Sequence, residues 1–190
     1  MKNKKLIIIA SVVLAVVLVI SLFVGSYNSM VYKEGQVQAS YSQIEVQLQR
    51  RADLIPNFVN TVKGYSDYEQ STFTAVTEAR AAVQKANTPA DLSAAEAQLD
   101  GAISVWVNAV TEAYPELKAN TMYVALTDEL AGTENRIARA RGDYNTAATE
   151  YNVYIRRFPK NIFASIFGFE KAELFEAADG AEQVPNVSFE

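Results

Sequence analysis

Residues 6–24 read LIIIASVVLAVVLVISLFV, and this stretch decides how the rest of the chain is organised. Lys2, Lys4 and Lys5 precede it. At a rise of about 1.5 Å per residue, a helix of this length spans roughly 28 Å, close to the ~30 Å hydrocarbon core of a bilayer. The run predicts a single-pass transmembrane helix at 6–24 in the cell membrane. The basic residues 1–5 are expected in the cytoplasm and the C-terminal domain outside it.

A secretory signal peptide is the alternative interpretation of this start, because it also joins a basic segment to an apolar run. Gly25 and Ser26 are acceptable residues before a cleavage position at Tyr27. Against cleavage, the run is longer than the roughly 7–15 residues usual in a signal, and the helical pattern continues beyond Tyr27. We therefore expect an uncleaved anchor.

The composition excludes several classes of function. The chain has no histidine and no cysteine, so a Ser-His-Asp triad, a cysteine nucleophile and imidazole or thiolate metal sites are all excluded. Without the three lysines of residues 1–5, the remaining 14 basic and 22 acidic side chains give a net charge of −8. Through charge alone, nucleic acid and anionic lipid head groups are both unfavourable partners for a domain of this charge.

Capping and proline signals divide the region after the anchor into four helices, approximately 27–64, 67–86, 89–113 and 116–158. Thr88 is a predicted N-cap, with Pro89 at the first helical position, and residues 66–69 have the spacing of a capping box. The first helix is predicted to continue through Pro56 with a kink. Apolar residues recur at alternating three- and four-residue steps on the two long helices, as in coiled coils. On the last helix this stripe includes Ala140, Tyr144, Ala147, Tyr151, Tyr154 and Phe158.

These lengths and short connections predict an all-α fold: a transmembrane helix followed by an elongated antiparallel up-and-down four-helix bundle with two long outer helices. The bundle domain is expected at 25–158, and the membrane-proximal part of the two long helices forms a predicted stalk. In the stalk, Val37 is expected opposite Tyr144 and Met30 opposite Tyr151.

Two segments follow the bundle. Residues 159–170 form a Phe-rich segment that the topology returns to the bilayer, and two interpretations stay equally open. The segment either lies in the membrane interface, or it folds onto the stalk and closes its core. The acidic composition of residues 171–190 predicts a flexible tail. The candidate membrane-interface residues are Ile162, Phe163, Ile166, Phe167 and Phe169.

Five motifs resemble the LemA family of bacterial single-pass membrane proteins. They are QLQRRADLIPN at 47–57, VKGY at 62–65, VTEAR at 76–80, YPELKAN at 114–120 and ENRIARAR at 134–141. The resemblance covers about residues 1–170, with Phe58 and Tyr68 as departures where family members more often have Leu and His. It implies a single-pass membrane protein with an up-and-down helical bundle, and no catalytic residues or cofactors to transfer.

Arg51 is the outstanding candidate for a buried polar residue, because it lies on the apolar stripe of the first helix. A structural polar core of Arg51, Glu78 and Glu134 is expected to fix the register of the helices. The remaining alternative is that Arg51 contacts a ligand or partner. No catalytic, cofactor-binding or metal-binding residue is predicted. Stalk packing or oligomer contacts are expected from Tyr27, Met30, Val37, Tyr41, Tyr144, Tyr151 and Tyr154.

The leading functional hypothesis is a non-enzymatic, membrane-anchored scaffold that forms homo-oligomers at the cell envelope and organises or shapes membrane. Its basis is that a two-helix stalk buries only one stripe per helix. Val46, Met122 and Val124 lie off the stripes and need another cover. Membrane lipid and a second copy are the expected partners. The alternative is an adaptor or docking protein for an envelope protease or export system, which presents its acidic domain to an envelope protein.

Overall fold

The computed structural model describes residues 2–63 and 70–176, and within these residues the chain is helical with no β-strand. The all-helical prediction is confirmed for this part of the chain. The predicted capping box at 66–69 and the tail residues 177–190 lie outside the described residues. The elements are α1 (Lys2–Lys63), α2 (Gln70–Lys85), α3 (Pro89–Ala113), a 3₁₀ helix (Pro115–Ala119), α4 (Thr121–Arg156) and α5 (Lys160–Phe167).

Helix α1 is a single element of 62 residues that begins in the basic segment and includes the whole apolar run. It is the one helix among the described residues that is long and apolar enough to cross a membrane. Pro56 lies inside it and cannot donate a hydrogen bond to the preceding turn. Ile55 and Phe58, on either side of Pro56, are buried in the core and hold this part of the helix in place. The prediction of one helix through Pro56 is confirmed.

The two later helix starts show how the sequence sets the boundaries. Helix α3 begins as predicted: the side chain of Thr88 accepts a hydrogen bond from the backbone N–H of Asp91, and Pro89 is the first helical residue. Helix α4 begins later than predicted. The side chain of Asn120 accepts hydrogen bonds from the N–H groups of Met122 and Tyr123, so Asn120 is the cap, and the residues from Pro115 form a 3₁₀ helix.

The described residues divide into two compact units. The first unit comprises residues 2–41 and 143–172, so it contains the apolar run, the end of α4 and α5. The second unit comprises residues 42–63, 70–142 and 173–176.

The second unit has one apolar core to which α1, α2, α3 and α4 all contribute. Its centre is a group of three rings, in which Phe58 lies 4.8 Å from Trp106 and 5.1 Å from Tyr123 between ring centroids. Val76 of α2 and Leu117 of the 3₁₀ helix are fully buried in the same core. Burial of this apolar surface is the main stabilising contribution to the unit.

In the first unit, α1 and α4 run antiparallel. Tyr41 contacts Tyr144 with ring centroids 5.7 Å apart, and Lys33 donates to the carboxylate of Glu150 over 3.2 Å. Later residues of α4 therefore meet earlier residues of α1. Both contacts lie within about one helical turn of the register predicted from the sequence, and the pairing of Val37 with Tyr144 stays a prediction.

The buried stripe of α4 departs from the predicted one at two positions. Ala140, Tyr144 and Tyr151 are buried as predicted, whereas Ala148 and Ile155 are buried in place of Ala147 and Tyr154. An α-helix of 3.6 residues per turn drifts about 20° per heptad relative to a strict 3.5-residue repeat. Over the five heptads of the predicted stripe this drift reaches about 100°, which is the angle between successive residues. Phe158, at the end of that stripe, is 82% exposed.

Residues 171–176 differ from the predicted flexible tail. In the first unit, Asn152 holds the backbone of Ala172 with two hydrogen bonds of 2.8 Å, one donated by each residue. In the second unit, Phe175 is buried, and the Arg141 guanidinium lies 5.0 Å from its ring centroid. The sequence pattern of acidic residues does not reveal these two attachments.

Candidate functional site

An aromatic cluster lies at the end of the apolar run, where α5 packs against α1. The Phe23 ring meets those of Phe163 and Phe167 at centroid distances of 4.6 and 5.2 Å. The Tyr27 ring meets those of Phe167 and Phe169 at 4.8 and 5.8 Å. All four pairs are edge-to-face, the geometry that the quadrupoles of aromatic rings favour. Because Phe23 belongs to the apolar run, the cluster joins α5 directly to the predicted span.

The two faces of α5 have different environments. Ala164 is buried and Phe163 is half-buried on the side of α1, whereas Ile162 and Ile166 are exposed. Gly168 ends the helix with φ of 74°, a left-handed conformation that glycine adopts without strain. Packing onto α1 is thus observed for Phe163, Phe167 and Phe169. Contact of Ile162 and Ile166 with lipid stays a prediction.

Two tyrosines of α4 in the first unit, Tyr151 and Tyr154, have different surroundings. Burial raises the pKa of Tyr151 to about 12, and the charges of Glu34 and Glu170 act in the same direction. Burial opposes ionisation of Tyr154 as well. Its pKa is nevertheless lowered by hydrogen bonds with Ser29 and Lys160 and by the positive charges of Lys160 and Lys33.

The predicted polar residue Arg51 is buried and forms an ion pair with Asp100 of α3. The partners expected from the sequence, Glu78 and Glu134, are both exposed. The position of Arg51 therefore agrees with a structural role, whereas the carboxylate that it contacts comes from a different helix. Heptad spacing locates a residue on its own helix face, but it does not determine which neighbouring helix supplies the partner.

A second ion pair joins Glu96 of α3 to Arg141 of α4. Burial lowers the pKa of Arg141, and the charge of Arg51 adds to the effect, so the two pairs lie close enough to influence each other. Sequence reasoning missed Glu96, although its spacing from Leu92, Leu99 and Ile103 places it on the buried face of α3. The described residues contain no group of three or more Asp or Glu side chains arranged to hold a metal ion.

The apolar N-terminal helix, the all-helical fold and the aromatic cluster define the class: a membrane-associated helical protein. The model of the LemA family matches residues 40–189, and the chain belongs to this family.

Magnetosome protein MamQ 2 of Paramagnetospirillum magneticum is 31% identical over 86% of this chain and 70% of its own length. Magnetosome protein MamQ of Magnetospirillum gryphiswaldense is 28% identical over 86% of this chain and 69% of its own length. Protein LemA of Metamycoplasma hominis is 25% identical over 83% of this chain and 72% of its own length.

Proposed function

We propose that this protein is a non-enzymatic, membrane-anchored scaffold that self-associates at the cell envelope and organises or shapes membrane. The apolar start of α1, which is long and apolar enough to cross a membrane, supports the anchor. For the folded part we propose an antiparallel up-and-down four-helix bundle with α1 and α4 as its long outer helices. The contribution of four helices to one apolar core supports this arrangement.

The observation that carries self-association is an exposed face of α1. Val24, Val31 and Gly35 are separated by seven and four residues, so they lie on one side of the helix, opposite the buried residues Met30 and Val37. Both valines are exposed, and a Cβ atom at Gly35 would meet no atom within 4 Å. The face begins in the apolar run and continues beyond it to Val31 and Gly35, with the exposed Asn28 on the same side between the two valines.

A second copy of the chain is the partner that fits this face. Two copies anchored in one bilayer have parallel spans, so the same residues lie at the same height above the membrane. Identical faces can then meet around a two-fold axis, with each residue close to its own equivalent. The absence of a side chain at Gly35 permits close approach of the two backbones. The exposed Val46, Met122 and Val124 offer further apolar surface in the second unit.

Cysteine cross-linking tests this proposal cleanly, because the natural chain has no cysteine. The full-length Val31→Cys variant in its membrane is expected to form a disulfide-linked dimer on mild oxidation. The matched control is Gln36→Cys, which is also exposed but lies about 140° around the helix. Equal cross-linking of both variants, or of neither, would contradict the proposed face.

The adaptor function is the second candidate, and the net charge of −8 outside residues 1–5 favours it, since an acidic surface suits docking to a basic partner. The molar mass of the full-length protein in mild detergent separates the two functions. A discrete multiple of 20.9 kDa after subtraction of detergent supports the scaffold. A monomer that purifies from native membranes with one stoichiometric envelope protein supports the adaptor.

A further inference from the structure

A basic and aromatic segment connects α4 to α5, at residues 156–160. Arg156 and Arg157 are exposed, and the Phe158 ring between them and α5 is 82% exposed. Neither guanidinium has a carboxylate partner within 4.0 Å among residues 2–63 and 70–176. In a chain whose net charge is −5, two adjacent exposed arginines without acidic partners require an explanation.

Contacts within the first unit place this segment at the height of the lipid headgroups. Tyr154 shares a hydrogen bond with Ser29, which follows Val24 by five residues, or roughly 7–8 Å along the helix. Because α4 runs antiparallel to α1, the chain after Tyr154 continues toward the apolar run. The headgroup layer on each side of a bilayer is about 5–7 Å thick. Arg156 and Arg157 therefore lie within that layer when residues 6–24 span the membrane.

The neighbouring side chains complete an amphipathic surface. The ammonium group of Lys160 lies 3.6 Å from the centroid of the Tyr154 ring, which fixes a third positive charge beside the arginines. Ile162 and Ile166 are exposed on α5, whose other face is held on Phe23 by the rings of Phe163 and Phe167. Cations at headgroup height beside exposed apolar side chains are the typical composition of a lipid-binding surface.

We propose that this surface binds anionic phospholipids. Arg156 and Arg157 donate paired hydrogen bonds to the lipid phosphate, the geometry for which the planar guanidinium is suited. Phe158, Ile162 and Ile166 insert among the acyl chains. The inference rests on the proposed membrane anchor and adds to it a second, lipid-selective contact on the side of the membrane where the folded units lie.

The test uses the full-length protein in bilayer discs of phosphatidylcholine with phosphatidylglycerol as the minor component. Native mass spectrometry then counts the lipids that the released protein retains. We expect phosphatidylglycerol to be enriched relative to the disc. The R156Q/R157Q variant should reduce this enrichment roughly tenfold or more, because each basic residue near an anionic surface contributes about a fivefold gain in affinity. The matched control is K85Q/K118Q, which removes two exposed cations from the second unit.

Three results would overturn the proposal: wild-type protein without enrichment of phosphatidylglycerol, equal retention by R156Q/R157Q and wild type, or displacement of the lipid by excess inorganic phosphate. The last result would show a phosphate site without acyl-chain contacts. The same spectra report the oligomeric mass, so failure of self-association is seen separately. A monomer that retains phosphatidylglycerol contradicts the scaffold alone, whereas a dimer without it contradicts the lipid site alone.

Discussion

Among the side chains that the structure describes in the second unit, Arg51 and Glu96 are charged and buried, and each is paired with a partner nearer to solvent. The side chains of Arg51 and Glu96 are 5% and 4% exposed, against 39% for Asp100 and 25% for Arg141. Loss of the outer partner leaves a charge in the core without compensation, which costs more than the pair itself contributes. Any helix register that separates the two partners of either ion pair is therefore unfavourable.

Asp100→Ala should lower the free energy of unfolding by roughly 2–3 kcal/mol. This is below the approximately 3–5 kcal/mol of a fully buried pair, because the carboxylate of Asp100 is partly exposed. The double variant Arg51→Met/Asp100→Ala should recover most of the loss, since it leaves no buried charge. Fluorescence of Trp106, the single tryptophan, reports unfolding of this unit in denaturant. Asp128→Ala, at an exposed position, is the control, and an equal effect of both alanine variants would contradict the role of the pair.

Tyr151→Phe should leave stability at neutral pH unchanged or slightly higher. The hydroxyl of Tyr151 is buried without a hydrogen-bond partner among the described residues, so its removal costs no bond. The difference should appear in alkali. The pKa of Tyr151 is about 12 when folded and about 10 when unfolded, so the neutral phenol favours the folded state, and this contribution is lost as pH rises from 10 to 12.

Over that range, wild type should lose roughly 2–3 kcal/mol more than Tyr151→Phe. Thermal unfolding of the full-length protein, followed by circular dichroism below pH 10 and near pH 12, measures the difference. Tyr32→Phe, which removes a hydroxyl from an exposed ring, is the control. If wild type and Tyr151→Phe lost the same amount of stability, the phenol of Tyr151 would ionise as easily in the folded as in the unfolded state.

At the scale of elements, α5 owes its position to rings rather than to its own helix propensity. It has only 8 residues, too few for an isolated helix to be stable in water. The edge-to-face contacts with Phe23 and Tyr27 supply the missing stabilisation. The helix should therefore open when these contacts are removed, while α1 stays intact.

Phe163→Ala should accelerate amide hydrogen exchange in Lys160–Phe167 by roughly two- to tenfold, since an edge-to-face pair contributes about 0.5–1.5 kcal/mol beyond its buried area. Exchange of the full-length protein in detergent, read by mass spectrometry of peptides from this region, provides the measurement. Ile166→Ala removes an exposed side chain of the same helix and should leave the rate unchanged in detergent. Equal acceleration by both variants would mean that the loss of any apolar side chain opens α5, and that the ring contacts have no special role.

The helices also show which structural features the sequence predicts well and which it does not predict. The spacing along α1 predicts the buried stalk residues Met30 and Val37, because each is defined by its position on one helix. Two positions in the last part of α4 are misjudged by one residue, because a strict heptad was extended beyond the length over which it matches 3.6 residues per turn. The partner of Arg51 depends on contacts between helices, and periodicity within one helix does not contain that information.

At the scale of the whole molecule, the sequence predicts the apolar span, the all-helical fold and the family, because each rests on a local pattern or a long motif. The division into two units and the attachments of residues 171–176 are not visible in it. The attachments depend on single contacts, such as that of Asn152 with Ala172, which leave no periodic trace.

The predicted orientation can be measured with single cysteines in the cysteine-free chain. Lys85→Cys, at an exposed position of the second unit, should react with a membrane-impermeant maleimide in intact cells. Asn3→Cys should react only after lysis. The reason is that Lys2, Lys4 and Lys5 directly flank the span and favour a cytoplasmic N-terminus. If Asn3→Cys were labelled in intact cells and Lys85→Cys were not, the orientation would be the opposite of the predicted one.

The unbroken course of α1 has a mechanical consequence. From the apolar run to Tyr41 the helix is continuous, and α5 braces it at Phe23 and Tyr27, on either side of the Gly25–Ser26 pair where a helix kinks most readily. A span of fixed apolar length responds to a thinner bilayer by tilting. In the first unit, that tilt must be passed on to the helical segment above the lipid, because a continuous helix bends only gently. The thickness of the bilayer therefore determines the angle between the helices of this unit and the membrane plane.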